Sequence, residues 1–154
     1  MRSFNEADQK KKKARIQLQE NPGKLSDEVI SQLEDKVKAS LKDGCLPCAL
    51  AFKIAKDAQV PKVAVGEMTD RLSIRVTNCQ IGCFKVDKTI HDNAAREDID
   101  DGIVSKLIAL QESNELTCTN VFDLALQLKS TPMAIADVAN LRGLKIHNCQ
   151  LGCF

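Results

Sequence analysis

Tryptophan and tyrosine are absent from this 154-residue chain, and phenylalanine occurs only five times. A core without large aromatics must be assembled from Ile, Val, Leu and Ala, and the aromatic platforms on which single-stranded nucleic acid stacks are missing. Histidine is nearly as scarce, with only His91 and His147. His147 stands two residues before Cys149, but no third group is placed to orient a Cys–His nucleophilic pair. Glycine-rich phosphate loops and the His–Glu pattern of metalloproteases are also missing. The expectation is therefore a protein that is not an enzyme. Apolar residues are scattered through charged sequence and no run approaches the length of a membrane span. The first 24 residues lack the apolar middle of a secretory signal, so no membrane contact and a cytoplasmic location are expected.

The net charge of +1 conceals an uneven distribution. Residues 1–27 hold seven basic and four acidic side chains, leaving 15 basic against 17 acidic for the remainder. The slightly acidic remainder gives no global support for binding a phosphate backbone. Lys10, Lys11, Lys12, Lys13 and Arg15 concentrate the positive charge in residues 1–25, which are expected to form a disordered tail or a frayed helix over 10–19.

The most informative feature is a phrase written twice: Asn-Cys-Gln-Ile-Gly-Cys-Phe at 78–84 and Asn-Cys-Gln-Leu-Gly-Cys-Phe at 148–154. Shifting the chain by 70 residues aligns 45–84 with 115–154 without a gap, with eleven identities in forty columns. Apolar positions follow the same order, as Ile54 with Leu124, Val65 with Ile135, Ile74 with Leu144 and Val76 with Ile146. A repeated core requires this pattern, so the chain reads as an internal duplication. The domain expectation is a first repeat over 26–84, a linker over 85–97 and a second repeat over 98–154.

Each repeat is expected to contain three helices and a short closing strand. In the first, Ser26 caps a helix over 27–42 with Ile30, Leu33, Val37 and Leu41 on one face, ended by Asp43-Gly44. A second helix spans 47–57, with Pro47 in its first turn, and a third spans 63–72 after Pro61. Residues 74–76 then resume as strand. The second repeat places helices over 98–111, from the Thr117 cap onward, and after Thr131-Pro132, with 144–146 as strand. Asn78 and Asn148 mark a turn or bulge.

Helix, helix, tight turn, helix and strand resembles the helix-turn-helix superfamily, as a trimmed winged helix present in two tandem copies. The run Leu46-Pro47-Cys48, Val65-Gly66, Ile74-Arg75 and Cys79 to Phe84 also resembles small modules associated with molybdenum-cofactor and regulatory proteins of anaerobic bacteria. The second repeat departs from this run, with Thr117 and Ala136 in place of Pro47 and Gly66. The superfamily resemblance implies duplex DNA binding through Arg71, Arg75, Arg142 and Lys145. The lysines Lys10, Lys11, Lys12 and Lys13 would add sequence-independent, salt-sensitive attraction.

Seven cysteines without a secretory signal are expected to be reduced. Cys45, Cys48, Cys79 and Cys83 make a four-thiolate inventory compatible with zinc, with an iron–sulfur cluster or with redox sensing. The second repeat has Glu115 where the first has Cys45, leaving Cys118, Cys149 and Cys153, so a shared four-cysteine site cannot exist in both copies. The favoured expectation is architectural, with no cofactor. A strand would put Cys79, Ile81 and Cys83 on one face, Gly82 and Gly152 would permit turns, and Phe84 and Phe154 would cover the core edge. Cys45, just past a helix-ending glycine, is expected to be the most exposed thiol.

The preferred functional expectation is a non-catalytic regulatory or adaptor module presenting helical surfaces to a protein partner or to a second copy. The alternatives are a DNA-binding regulator and a metal or redox protein. Because each repeat is near the lower size limit for an independent core, the two are expected to depend on each other through their closing segments.

Overall fold

The computed structural model describes residues 5–16, 18–84 and 101–154. The linker assigned to 85–97 and the first residues of the helix expected from 98 lie outside them. Among the described residues the fold is mainly helical. In chain order the elements are α1 (Glu6–Arg15), α2 (Asp27–Ala39), β1 (Cys45–Pro47), α3 (Cys48–Asp57), α4 (Lys62–Arg71), β2 (Arg75–Thr77), α5 (Asp101–Glu112), α6 (Cys118–Gln127) and α7 (Pro132–Leu141).

Helix starts follow local chemistry. Ser26, Thr117 and Thr131 accept hydrogen bonds from the Val29, Asn120 and Ala134 backbone N–H groups, while Pro132 opens α7 where no backbone donor is needed. The helix α2 stops at Ala39 rather than 42. Lys42 and Cys45 instead exchange two backbone hydrogen bonds of 2.8 and 2.9 Å across Asp43 and Gly44, both with positive φ. That is the geometry of a tight two-residue turn.

The duplication is written into the backbone. Positive φ recurs at the 70-residue offset in Gly44 and Asn114, Gln59 and Lys129, Ser73 and Gly143, Asn78 and Asn148, and Gly82 and Gly152. At the ends of α3, α4, α6 and α7 these residues let the chain reverse. Val60, Ile74, Ser130 and Leu144 then donate back to the Ala55, Thr69, Ala125 and Ala139 carbonyls.

Two expectations about strands need correction. In the first repeat, β1 and β2 form a parallel pair in which Cys45, Leu46 and Pro47 face Arg75, Val76 and Thr77. In the second, the expected strand at 144–146 is not formed, and one parallel bridge, Thr117 with His147, survives at the position equivalent to Pro47 with Thr77. The reason is competition for backbone groups. The Glu115 N–H donates to the Leu110 carbonyl, the Thr117 N–H to the Glu115 carbonyl and the Lys145 N–H to the Gln111 side chain.

The closing phrases are not strands either. Asn78 and Asn148 sit in the left-handed region, and the Gly82 N–H donates to the Cys79 carbonyl at 3.0 Å, so 79–84 folds back as a turn.

The chain divides into two compact units, and their membership is crossed. The first contains residues up to Asn78 together with Gln150–Phe154; the second contains Cys79–Cys149. Each unit is therefore completed by the closing phrase of the other repeat. The first core gathers Leu33, Val37, Leu46, Ala51, Ile54, Val65, Met68 and Leu151, and the second Ile81, Val104, Leu107, Leu116, Val121, Leu124, Ile135 and Val138. Burying one such large aliphatic side chain is worth about 1.5–3 kcal/mol.

Within the expected tail, residues 6–15 form a capped helix, α1, that belongs to the first unit; it begins earlier and ends sooner than the frayed helix expected over 10–19. Asn5 and Asp8 form a reciprocal capping box. The Lys12 ammonium then reaches the Asp70 carboxylate at 2.6 Å, Arg75 reaches Asp8 at 3.2 Å, and the Gln9 amide donates to Ser73 Oγ.

Candidate functional site

Three groups of residues can carry chemistry or recognition: the closing-phrase dock on α4, the thiols, and the exposed surface of the second repeat.

The dock is built on Gly66. A Cβ placed there would lie 1.8 Å from the Leu151 carbonyl oxygen and 2.7 Å from its carbon, so the 150–154 backbone rests directly on α4. Only glycine permits that approach. Lys62 anchors the segment by donating to the Gln150 side-chain oxygen, and its ammonium stands 4.3 Å from the centre of the Phe52 ring. Leu151 is fully buried, and Gly152 lies under the Leu18 side chain. Phe84 and Phe154 are both half-buried, in keeping with a core edge.

All seven cysteines are free thiols. The four proposed as a first-repeat ligand set are divided, with Cys45 and Cys48 in the first unit and Cys79 and Cys83 in the second. Cys118 and Cys149 belong to the second unit and Cys153 to the first. Among the described residues, no group of three or more Cys, His, Asp or Glu side chains is arranged to hold a metal ion. The expectation that Cys45 is the most exposed thiol is also corrected. Cys45 is half-buried in β1, whereas Cys83, beyond the turn at Gly82, is the exposed one.

Cys79 and Cys83 share an S–H···S hydrogen bond, which lowers Cys79 to about 6; backbone hydrogen bonding around the turn acts in the same direction, against burial. Cys83 is pushed up, first by that same hydrogen bond, then by burial and by the neighbouring Cys79, Cys118 and Cys149 thiols.

His147 is committed to structure. Its ring nitrogens lie 3.0 Å from the Leu116 carbonyl and 3.2 Å from the Asn114 side-chain oxygen, while its backbone forms the bridge to Thr117.

The cations singled out for DNA do not form one surface in the first unit. Lys12 is paired with Asp70, Arg75 with Asp8, and Arg71 with Glu67 at 3.0 Å. Lys10, Lys11 and Lys13 are exposed on α1, and Arg142 and Lys145 are exposed after α7 in the second unit.

Sequence inspection missed the surface of the second repeat. The large hydrophobic side chains exposed among the described residues are Ile108, Leu126 and Leu141, at 41, 81 and 54%. All three belong to the second unit. At the 70-residue offset the first repeat has Lys38, Lys56 and Arg71 in their places. The exchanges at Leu126 and Leu141 were readable in the aligned columns, but only as a contrast of unlike residues rather than a match of like ones; that at Ile108 lies ahead of them.

The helices differ as well. In the first repeat α2 packs on both α3 and α4; in the second, α5 packs on α7. Between α5 and α6 a cleft of about 410 Å³ is lined by Ala109, Leu110 and Leu124, with Lys106, Glu115 and Asp123 among its polar residues.

No protein-family model, curated protein or solved structure matches this chain.

Proposed function

We propose that this chain is a non-catalytic regulatory or adaptor protein that presents the helices of its second repeat to a protein partner. The observation that carries this reading is the replacement of Lys38, Lys56 and Arg71 by Ile108, Leu126 and Leu141 at equivalent positions, all three exposed. Protein interfaces concentrate apolar groups at their centres, and these three positions exchange charge for apolar surface on a single unit. The α5–α6 cleft adds a concave, partly apolar surface on the same unit. Duplex DNA, suggested by the helix-turn-helix resemblance, draws less support because Lys12, Arg71 and Arg75 are neutralised by carboxylates.

The test restores the first repeat's charges in the second with Ile108→Lys, Leu126→Lys and Leu141→Arg in the full chain. The variant is expected to keep the helical circular-dichroism spectrum while losing proteins that crosslink to the wild-type chain in its native extract. Identical crosslinked proteins from both chains would reject the surface, and salt-sensitive duplex binding by the wild type with no crosslinked protein would favour DNA.

A further inference from the structure

Cys79 and Cys83 lie on a segment that closes on itself. The Gly82 N–H donates to the Cys79 carbonyl at 3.0 Å and the Cys79 N–H to the Phe84 carbonyl at 3.4 Å. Asn78 and Gly82, at φ 50 and 70, supply the reversals. Ile81, 1% exposed, pins the middle of this turn into the core of the second unit. The two thiols thus sit four residues apart on one fixed turn, with the Cys83 thiol 4.0 Å from the Ile81 carbonyl oxygen. They differ in access, since Cys79 is 3% exposed and Cys83 faces solvent. A solvent-facing thiol beside a sealed one has the form of an attacking and a resolving pair.

We propose that Cys79 and Cys83 are a redox-modification site, forming a reversible disulfide when the chain meets a low-molecular-weight disulfide such as oxidised glutathione. Cys83, the solvent-facing thiol, gives up its proton to solvent. The Cys83 thiolate attacks one sulfur of glutathione disulfide; the S–S bond breaks and a glutathione thiolate leaves and is protonated. Cys79 then loses its proton and its sulfur attacks Cys83 Sγ, breaking the mixed disulfide and releasing the second glutathione. Two protein thiols are oxidised by two electrons, and one glutathione disulfide is reduced to two thiols. The other titratable groups acting on Cys83 are the Cys118 and Cys149 thiols, which are the competing resolving groups.

Cleavage after Arg75 and Lys85 isolates Cys79 and Cys83, without any other cysteine, in one tryptic peptide. The full folded chain is treated with oxidised glutathione at neutral pH, alkylated and digested. The expected product is this peptide unalkylated and lighter by two hydrogens, restored to the dialkylated form by dithiothreitol. Cys83→Ser, at an exposed position, is expected to keep the circular-dichroism spectrum and abolish the product, whereas Cys118→Ser is expected to retain it. The proposal is overturned if both thiols are alkylated, if the peptide carries glutathione alone, or if it is crosslinked to a peptide containing Cys118 or Cys149.

Discussion

The two repeats keep the same turns and have diverged in what they show to their surroundings. The left-handed residues recur in register, from Gly44 and Asn114 to Gly82 and Gly152. Everything laid over that backbone differs. The first repeat shares its unit with α1 and has a three-residue parallel pair, a glycine at the dock and cations on its surface. The second reduces the strand pair to one bridge, has Ala136 where the first has Gly66, and exposes aliphatic side chains. Turn geometry is costly to alter because a non-glycine residue at positive φ is tolerated only in particular positions. Exposed side chains change at little cost, so a duplicated module can specialise there first.

The sharpest way to break this comparison is to attack the closing phrases themselves. Leu151→Ala and Ile81→Ala each empty a fully enclosed site, and each is expected to cost about 2–5 kcal/mol in urea unfolding. Leu126→Ala, at an exposed position, is expected to change stability by less than about 0.5 kcal/mol. Similar small losses for all three would mean that the phrases do not complete the units.

At the dock the repeats are expected to respond with different severity. Gly66→Ala drives a methyl group into the Leu151 carbonyl and is expected to cost about 1–3 kcal/mol, with loss of protection of the Leu151 amide in hydrogen exchange. Ala136→Gly removes a buried methyl and loosens a helix, for about 1 kcal/mol. A Gly66→Ala variant as stable as wild type would show that 150–154 does not rest on α4.

A chemical comparison follows from the shared proton. Because Cys79 is lowered to about 6 by its hydrogen bond with Cys83, the first ionisation of the pair lies below that of an ordinary thiol. Alkylation of the pair should therefore begin to rise with pH around 6 rather than around the value of about 8.5 of an ordinary thiol. A midpoint above 8 in the peptide-resolved profile would remove the hydrogen bond from the description. The smallest effect concerns α1, where Lys12→Ala is expected to cost at most about 1 kcal/mol, less at high salt.

The sequence showed the duplication, the helices and the residues able to reverse the chain. Ser26, Thr117 and Thr131 announced helix starts because a cap is a local device. Two kinds of information were hidden. The alternation of Cys79, Ile81 and Cys83 suggested a strand, but Asn78 and Gly82 turn the chain and leave Cys83 outside. The cap of α1 was local too, in Asn5 and Asp8, yet its docking depends on Asp70, 58 residues beyond Lys12. Crossed membership of the units was equally out of reach, since two nearly identical phrases carry no mark of which core each will enter. Gly66 against Ala136 was the one visible asymmetry bearing on it.

Synthesis of the chain proceeds in one direction, and the crossed phrases give that direction a consequence. The dock at Gly66 is ready once α4 has formed, but its occupant is made about 80 residues later, roughly 4 to 16 seconds at typical elongation rates. Through that interval the phrase at 78–84 is already present and differs from the later one only in Ile81 for Leu151. The first unit cannot reach its native packing while the residues between Phe84 and Gln150 are being made; the dock is filled only when the second phrase emerges.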